Sequence, residues 1–278
     1  MEKDDDLSWG RSTVQTACPL DCPDTCSLAV AVEKGRVVKI DSSQRHNVTQ
    51  NFICGKVRRF GDRVYGEDRL LKAGLRDGPK GTGRFKDIDW DQALDLIAKQ
   101  MQRIRDRWGS EAILPFSYGG SNGLITQDTA DAQLFRRFGT SRLARTVCGA
   151  PTGAAHLALY GKMPGVSYPD YQHSRLIVIW GANPSVSSTH LVPYVRTAIQ
   201  NGAALIVIDP RRTALAKQAD IHLSVRHGSD VAVALAIHRF LFEHDLADEQ
   251  FLATHTHNWE TLRDRAAEWD FGRAASVA

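Results

Sequence analysis

Apolar residues in the second half of the chain form short unbroken runs that each end in a polar turn. One run lies in residues 175–185, the next in residues 204–212, and a third opens residues 221–230. A helix-like stretch at 191–200 separates the first two, and an apolar helix is predicted to follow the third through about Glu243. Strands that are apolar on both faces and separated by helices are typical of a parallel sheet covered on both sides. The pattern therefore predicts an α/β fold with doubly wound, mainly parallel sheet layers.

A long amphipathic helix is predicted to begin just after Asp89. Asp89 and Gln92 have the spacing of a capping box, and Gly109 is expected to end the helix. Apolar residues recur along it at helical spacing, which places them on one face and predicts that this face is buried in a core. These residues are Trp90, Leu94, Ile97, Met101, Ile104 and Trp108.

The N-terminal part of the chain gives shorter signals. Residues 27–42 alternate between apolar and polar on both sides of Lys34-Gly35, which predicts a β-hairpin. Cys54 is expected to open a helical stretch that continues to about Tyr65. Residues 67–86 are rich in Gly, Lys and Arg and are predicted to form a linker loop.

The remaining segments predict one further strand, one further helix and the state of the two chain ends. Residues 112–117 form a short apolar run that predicts a buried strand, followed by a glycine-rich turn at 118–123. A helix is predicted from about Ile125 to Phe138. Residues 1–10 are acidic and are expected to be a frayed leader, whereas the end of the chain has a helical pattern that is capable of packing.

Length, charge and cysteine usage narrow the class of protein. A chain of 278 residues can hold one large or two modest domains, and a net charge of +3 gives no reason to expect nucleic acid. No apolar run reaches the roughly 18–20 residues of a membrane span, and no export signal is visible. Five cysteines, most of them clustered, favour ligation in a reducing compartment over a disulfide framework. These features predict a cytoplasmic enzyme.

Four of the cysteines lie in one N-terminal stretch with the spacing Cys-x3-Cys-x3-Cys-x27-Cys. They are Cys18, Cys22, Cys26 and Cys54. Four thiolates suit either zinc or an iron–sulfur cluster. Zinc sites usually use two close pairs of cysteines, whereas a spacing of three plus one suits the corners of a 4Fe-4S cluster. The spacing therefore favours the cluster, with zinc and unligated or disulfide-paired thiols as the alternatives.

Polar turns follow the three predicted strands of the sheet. They are Gly181-Ala182-Asn183-Pro184-Ser185, Asp209-Pro210-Arg211-Arg212 and His227-Gly228-Ser229-Asp230. Ligands of doubly wound sheets bind outside the carboxyl ends of the strands, where helix N-termini attract phosphates. None of the turns is GxGxxG, so a plain NAD site is a weak alternative. Each turn taken singly is equally consistent with a simple turn and helix cap.

Cys148 and Lys56 are single residues whose roles the residue types alone leave open. A lone cysteine is commonly a small buried hydrophobe, and a lone lysine is usually a surface residue. Cys148 precedes a helix start expected near Pro151, and Lys56 follows Cys54 by two residues.

Taken together, these segments resemble the molybdenum- or tungsten-dependent bis-molybdopterin-guanine-dinucleotide oxidoreductases. That family includes formate dehydrogenases, nitrate reductases and sulfur-oxyanion reductases, and the resemblance covers about residues 11–240. It implies a 4Fe-4S domain at residues 11–68 and an incomplete molybdopterin-binding α/β domain at residues 69–278. Because the family's chains are much longer, the C-terminal domain that closes over the cofactor is expected to be absent. The chain is then expected to be a fragment, or a split subunit that needs another chain.

The resemblance also assigns roles to the residues near the metals. It implies that the four clustered cysteines hold the 4Fe-4S cluster and that Cys148 binds the molybdenum or tungsten. Lys56 resembles the lysine that bridges the cluster and a pterin, and it counts with Cys148 as a catalytic residue.

Similar assignments follow for the guanine dinucleotide. The resemblance implies that Gly181 and Asn183, with Pro184, approach a pyrophosphate. Asp209 would bind a ribose hydroxyl, and Arg211 would contact phosphate or base. The third turn resembles the family's Gly-Thr-Asp element, whose aspartate accepts hydrogen bonds from guanine. Its residues here are Gly228, Ser229 and Asp230.

The activity implied is that of a catalytic redox subunit. Two-electron chemistry on a small molecule or small anion would occur at the metal, and electrons would pass through the cluster to an electron-carrier protein or an iron–sulfur subunit. Formate dehydrogenases of this family have His directly after the metal ligand, whereas Gly149 stands here. This removes the residue that would argue for formate, although a formate dehydrogenase-like activity stays an alternative. His156 is not expected to replace the missing histidine.

A second hypothesis belongs to another class of protein. A chain that keeps the cluster cysteines but holds no metal–pterin would be a non-catalytic 4Fe-4S electron-transfer or binding module. Metal content distinguishes the two hypotheses.

Overall fold

The computed structural model describes residues 11–43, 51–117 and 129–278. The chain divides into two compact units, Met1–Val166 and Ser167–Ala278. The predicted boundary between a 4Fe-4S domain at residues 11–68 and an α/β domain at residues 69–278 lies inside the first unit. This division into domains stays a prediction.

The first unit begins with a three-stranded antiparallel sheet in the order β1-β2-β3. Its strands are β1 (Ser12–Ala17), β2 (Ser27–Glu33) and β3 (Arg36–Ser42). The turn between β2 and β3 places Lys34 at φ 48° and Gly35 at φ 75°, and two positive φ values are the mark of a type I′ hairpin turn. The predicted hairpin is therefore confirmed.

Two short helices follow Cys54 and pack beneath this sheet. They are α1 (Gly55–Arg58) and α2 (Phe60–Val64), which Arg59 separates. Val57 of α1 is buried in one apolar cluster with Leu28 of β2 and Ile40 of β3. The predicted helical stretch is confirmed, with a break in its middle.

The segment predicted as a linker loop contains a second hairpin, which corrects that prediction. Strands β4 (Ala73–Arg76) and β5 (Phe85–Ile88) pair antiparallel, with Leu75 opposite Lys86. Each strand has only four residues, so the Gly-rich turn between them dominates the composition of residues 67–86, from which the loop was predicted. Because so few residues alternate, backbone pairing rather than a hydrophobic pattern defines this hairpin.

Helix α3 (Trp90–Trp108) confirms the predicted capping box. Asp89 Oδ1 accepts from the Gln92 backbone N–H at 2.7 Å, and Gln92 Oε1 accepts from the Asp89 backbone N–H at 3.3 Å. Gly109 ends the helix at φ 86°. The predicted burial of the apolar face is wrong, since Trp90 is 65% exposed and Leu94 is 59% exposed. Periodicity fixes which residues share a face, but burial needs a packing partner, and the described residues of this unit do not cover it.

The predicted strand at residues 112–117 is also absent. A 3₁₀ turn occupies Ser110–Ala112, and residues 113–117 are irregular. The backbone here is anchored by Ser141, which donates to the Glu111 carbonyl through its hydroxyl at 2.6 Å and to the Ile113 carbonyl through its N–H. A run of apolar residues becomes a strand only where another strand pairs with it, and the described part of the chain offers none at this place.

Two more helices lie in the described residues of the first unit. They are α4 (Asp131–Phe138) and α5 (Gly149–Tyr160). The end of α4 agrees with the predicted helix, whereas its predicted start near Ile125 and the turn at 118–123 lie outside the described residues, as does the leader at 1–10.

The second unit is built on a parallel sheet in the order β6-β7-β8. Its strands are β6 (Leu176–Trp180), β7 (Ala204–Ile208) and β8 (Ile221–Leu223). The helices are α6 (Leu191–Gln200), α7 (Asp230–Glu243), α8 (Glu249–His255), α9 (Trp259–Ala266) and α10 (Phe271–Val277). The predicted mixed α/β fold with a parallel sheet is confirmed. None of the described helices has both the length and the apolar character needed to cross a membrane.

The core of the second unit lies between the sheet and α6. Ile179 of β6, Leu205 of β7 and Val195 of α6 belong to one buried cluster. Full burial of such side chains contributes roughly 1.5–3 kcal/mol each. On the opposite face of β6, Leu176 is 53% exposed and Val178 is 47% exposed. Packing against α6 therefore holds the sheet together.

Leu205→Ala should lower the free energy of unfolding of the second unit by about 2–5 kcal/mol, because it leaves a cavity in a fully buried core. Leu176→Ala is the matched control in the same sheet and should cost roughly 0.5 kcal/mol or less. Chemical denaturation followed by circular dichroism measures both. Equal losses in the two variants would contradict the location of the core.

Candidate functional site

Three of the four clustered cysteines lie on the loop that joins β1 to β2. Cys18 follows β1 and Cys26 precedes β2, and the Cys18 N–H donates to the Cys26 carbonyl at 2.8 Å. A tight turn between them is closed by the Thr25 N–H, which donates to the Cys22 carbonyl at 3.2 Å. Strand pairing therefore brings the ends of the loop together and folds Cys22 between them.

Cys54 reaches the same region from a distant part of the sequence. It is the N-cap residue of α1, and its carbonyl accepts from the Arg58 N–H at 3.3 Å. Cys54 and Cys18 both pack, partly buried, against the apolar cluster that contains Cys26. Sequence spacing predicted that one distant segment supplies the fourth thiol, and the helix start at Cys54 provides it.

The four thiols also affect one another electrostatically. Burial, together with the negative charges of Asp24 and of the other three thiols, raises the pKa of Cys26 to about 12. The pKa of Cys18 is raised as well, mainly by burial, against the lowering effect of a backbone hydrogen bond at Leu20. Because metals bind the thiolate form, four ionised sulfurs here need a positively charged partner. All five cysteines are described, and none of them forms a disulfide.

Lys56 lies in the first turn of α1, two residues after Cys54, and its side chain is exposed. The helix is tied to the sheet by Arg58, whose Nη2 lies 3.4 Å from Asp41 Oδ1. This exposed ion pair contributes little to the free energy of unfolding. It lies one helical turn after Cys54. The position of Lys56 beside Cys54 is therefore fixed by the same short helix.

Cys148 lies directly before α5 and is exposed. Its carbonyl accepts hydrogen bonds from the Thr152 N–H at 3.2 Å and the Thr152 hydroxyl at 3.1 Å. The alternative that Cys148 is a small buried hydrophobe is therefore wrong. The thiol is presented at the start of a helix whose first turn is anchored by Thr152.

His156 lies on the same helix as Cys148, two turns further along. Its Nδ1 is buried and has no hydrogen-bond partner among the described residues. Its ring centroid lies 5.8 Å from that of Tyr160. Eight residues of α-helix correspond to an axial rise of about 12 Å. His156 thus lies about two helical turns from Cys148, and that it does not replace a histidine directly after Cys148 stays a prediction.

In the second unit, the three predicted turns meet at the carboxyl edge of the sheet. The Gly181 N–H donates to the Ile208 carbonyl at 2.8 Å, which joins the first turn to the end of β7. The Asp209 N–H donates to the Leu223 carbonyl at 3.1 Å, which joins the second turn to β8. Parallel strands place their carboxyl ends at one edge, where ligands of such sheets bind.

The first turn contains a buried polar atom that lacks a partner. Gly181 has a φ of 60°, which favours glycine, and the Asn183 carbonyl accepts from the Val186 N–H at 2.9 Å. The side-chain Oδ1 of Asn183 is buried without a hydrogen-bond partner among the described residues. Such an orphan acceptor costs roughly 1–3 kcal/mol. A ligand that donates a hydrogen bond would satisfy it, so the turn fits a polar cofactor.

The second turn holds its aspartate by a local hydrogen bond. Asp209 is 8% exposed, and its Oδ1 accepts from the Arg211 N–H at 2.7 Å. The His222 ring nitrogen Nε2 lies 2.9 Å from the Asp209 carbonyl oxygen, which links the turn to β8. Arg211 is exposed. The carboxylate is thus held by a backbone hydrogen bond at the end of β7.

The third turn leads into α7. Gly228 has a φ of 85°, and the buried Ser229 hydroxyl donates to the Arg226 carbonyl at 2.7 Å instead of capping the helix. Asp230 is the first residue of α7 and is exposed. The Trp180 indole N–H donates to Asp230 Oδ1 at 2.6 Å. This contact brings the first and third turns together.

Four thiols gathered beside the first sheet, and a parallel sheet with polar turns at its carboxyl edge, fit an iron–sulfur protein that also binds a nucleotide-like cofactor. Family models agree with this class. The molybdopterin oxidoreductase model matches residues 57–267, and the molybdopterin oxidoreductase Fe4S4 domain model matches residues 11–66. The chain belongs to the molybdopterin oxidoreductase family. These matches indicate a 4Fe-4S cluster and a molybdopterin cofactor with molybdenum or tungsten.

Individual relatives agree with this membership. "Probable oxidoreductase YoaE" of Bacillus subtilis is 33% identical over 95% of this chain and 39% of its own length. Formate dehydrogenase H of Escherichia coli is 28% identical over 90% of this chain and 35% of its own length. The solved structure of acetylene hydratase from Pelobacter acetylenicus has a TM-score of 0.69 at 27% identity and covers 95% of this chain and 36% of that chain. The chain therefore spans less than two fifths of the length of these relatives.

Trp180 is a candidate site residue that the sequence analysis missed. It ends β6 directly before Gly181, in a stretch for which the sequence predicted only a strand and a turn. Its partner Asp230 is 50 residues away in sequence. A tryptophan that ends a strand at a predicted ligand edge is the signal that could have pointed to it, because its N–H needs an acceptor.

With the cluster removed, iodoacetamide at about pH 8 should modify Cys148 well before Cys26, since only a thiolate reacts. Cys148 is exposed, whereas Cys26 is 7% exposed and its pKa is raised to about 12. Mass spectrometry of peptides over time measures the order. Both cysteines should react quickly in denaturant. Equal rates in the folded chain would contradict the burial of Cys26.

Proposed function

We propose that this chain provides the cluster-binding part and a dinucleotide-binding part of a catalytic molybdenum or tungsten bis-molybdopterin-guanine-dinucleotide oxidoreductase. The observation that carries the proposal is the gathering of four cysteines at the β1–β2 loop and the start of α1, directly beside Lys56. When bound, the cluster supplies one-electron transfer and the metal–pterin supplies two-electron chemistry.

The four clustered cysteines hold the 4Fe-4S cluster in this proposal. Their mutual repulsion and the raised pKa of Cys26 and Cys18 favour a positively charged partner. Lys56 follows Cys54 by two residues in the exposed first turn of α1, so its ammonium group could contact an anionic pterin bound near the cluster. Its assignment to electron passage rests on the family resemblance, and this position supports it.

Cys148 is the proposed protein ligand to the molybdenum or tungsten. Its exposure makes the thiol available to a large cofactor, and the two hydrogen bonds from Thr152 fix its backbone. A buried thiol in an apolar core could not serve in this way. The role follows from family resemblance and is supported by this accessibility.

The polar turns of the second unit bind the guanine dinucleotide in this proposal. Gly181, Asn183 and Pro184 approach the pyrophosphate. Because a pyrophosphate offers only acceptors, the orphan Oδ1 of Asn183 would accept from a hydroxyl or amino group elsewhere on the dinucleotide. Asp209 binds a ribose hydroxyl while Arg211 contacts phosphate or base. In the third turn, Asp230 accepts hydrogen bonds from guanine, with Gly228 and Ser229 shaping the approach to it.

The substrate class proposed is a small molecule or small anion. Gly149 follows Cys148, so no side chain directly after the ligand can accept a substrate proton. A formate dehydrogenase-like activity would therefore need a proton acceptor from elsewhere. The proposed electron partner is a carrier protein or an iron–sulfur subunit, and the remaining walls of the cofactor site come from outside residues 1–278.

Metal analysis of the anaerobically purified, cofactor-loaded enzyme tests the proposal. We expect about four iron atoms and about one molybdenum or tungsten per chain. Cys22→Ser should remove the iron and the broad visible absorption while the second unit stays folded, because that unit has its own core.

Thr25→Ser is the control variant on the same loop and should keep the iron. Stoichiometric zinc in place of iron would contradict the cluster. Iron without molybdenum or tungsten would instead support the non-catalytic electron-transfer module. A loss of second-unit structure in Cys22→Ser, seen by circular dichroism, would contradict the independence of the two units.

Cys148→Ala in the cofactor-loaded enzyme should abolish activity, because it removes the proposed metal ligand. Cys148→Ser keeps a ligand atom, so it should retain cluster and pterin while it alters the Mo(V) electron paramagnetic resonance signal and removes most activity. Thr152→Val is a useful comparison, since it removes one anchoring hydrogen bond and leaves the thiol. An active Cys148→Ala enzyme with an unchanged signal would show that Cys148 is not a ligand.

A further inference from the structure

The contact between Trp180 and Asp230 joins two turns of the second unit at the ligand edge. The indole N–H donates to Asp230 Oδ1 at 2.6 Å. An indole N–H is a donor only, and hydrogen bonds to an ionised carboxylate are shorter and stronger than those between neutral groups. The contact is therefore a directional hydrogen bond that fixes the orientation of the carboxylate relative to the indole ring.

Trp180 is held by a rigid element. It is the last residue of β6, where Ile177 and Ile179 are buried in the core beneath α6. Side chains alternate along a strand, so Trp180 lies on the opposite face, with Leu176 and Val178. The position of the indole donor is thus set by the register of the sheet.

Asp230 has no comparable support from its own helix. The terminal torsion of an aspartate side chain is soft, so the plane of its carboxylate is set by its partners. The preceding residue, Ser229, uses its hydroxyl on the Arg226 carbonyl. Asp230 itself is exposed at the first position of α7. Within the described residues, Trp180 is the side chain that orients this carboxylate.

Guanine presents two adjacent donors, N1–H and the 2-amino group, and both can bind one carboxylate only if its plane faces the base edge. We propose that Trp180 is a positioning residue that orients the Asp230 carboxylate for this two-point contact and so sets the base specificity of the site. The inference rests on the proposed role of Asp230 in guanine binding. A carboxylate that rotates freely would keep one contact and lose part of the other.

The test is the affinity of the chain for GDP and for IDP, whose base lacks the 2-amino group, measured by isothermal titration calorimetry. The unsubstituted chain should bind GDP more tightly than IDP. Trp180→Phe keeps an aromatic ring without the donor, and it should weaken GDP binding roughly tenfold, a change that corresponds to about 1.4 kcal/mol. It should also move the GDP-to-IDP affinity ratio toward one, whereas Trp180→His, which retains a ring N–H, should recover part of that ratio.

Trp269→Phe is the matched control, since Trp269 is a half-buried tryptophan of the same unit whose ring lies 4.3 Å from the Arg273 guanidinium carbon. It should leave both affinities unchanged. Circular dichroism of each variant verifies folding. A purely structural role for Trp180 would lower both affinities together and leave the ratio unchanged, which would overturn the inference. Tighter GDP binding by Trp180→Phe would also overturn it, because the indole would then compete with the base.

Asp230→Ala separates this inference from the proposed function beneath it. If Asp230→Ala loses the preference for GDP but Trp180→Phe keeps it, the guanine role of Asp230 stands and the positioning role of Trp180 is wrong. If Asp230→Ala keeps the preference, or if the unsubstituted chain shows none, the guanine assignment itself is wrong and the inference falls with it.

Discussion

Backbone pairing between strands is the interaction on which most of the candidate site residues depend. Pairing of β1 with β2 closes the loop that carries Cys18, Cys22 and Cys26. Parallel pairing of β6, β7 and β8 places three polar turns at one edge of a sheet. The polar turns of the second unit lie at the edge of the sheet and outside its apolar cluster, whereas Cys26 is itself buried in the apolar cluster of the first sheet. The scaffold is therefore stabilised by apolar packing and strand pairing, while the polar residues at its edges are left available for ligands.

Both candidate sites contain groups that the protein alone does not satisfy. The cluster cysteines would repel one another if all were ionised, and burial raises the pKa of Cys26 to about 12. In the second unit, Asn183 Oδ1 is a buried acceptor without a partner among the described residues. Unsatisfied charge and unsatisfied hydrogen-bonding capacity both cost free energy. Cofactors that supply cations and donors at these places would stabilise the fold that binds them.

Local signals in the sequence predicted the elements that local chemistry controls. The hairpin at Lys34-Gly35, the capping box at Asp89 and the limits of α6 all follow from a few neighbouring residues. The failures concern segments whose state depends on distant partners. Residues 112–117 have a strand-like composition but no strand beside them among the described residues, and the hairpin of β4 and β5 is held by backbone pairing that composition does not reveal.

By itself, the sequence determined the parallel sheet and the order of the three polar turns, and it grouped four cysteines as one set of candidate ligands, because spacing and periodicity carry that information along the chain. Only the tertiary structure decided that Cys148 is exposed, that the apolar face of α3 is uncovered by the described residues, and that Trp180 bonds to Asp230. Burial and long-range hydrogen bonds depend on which helices and strands pack against each other. The neighbours of a residue in the sequence do not specify this packing.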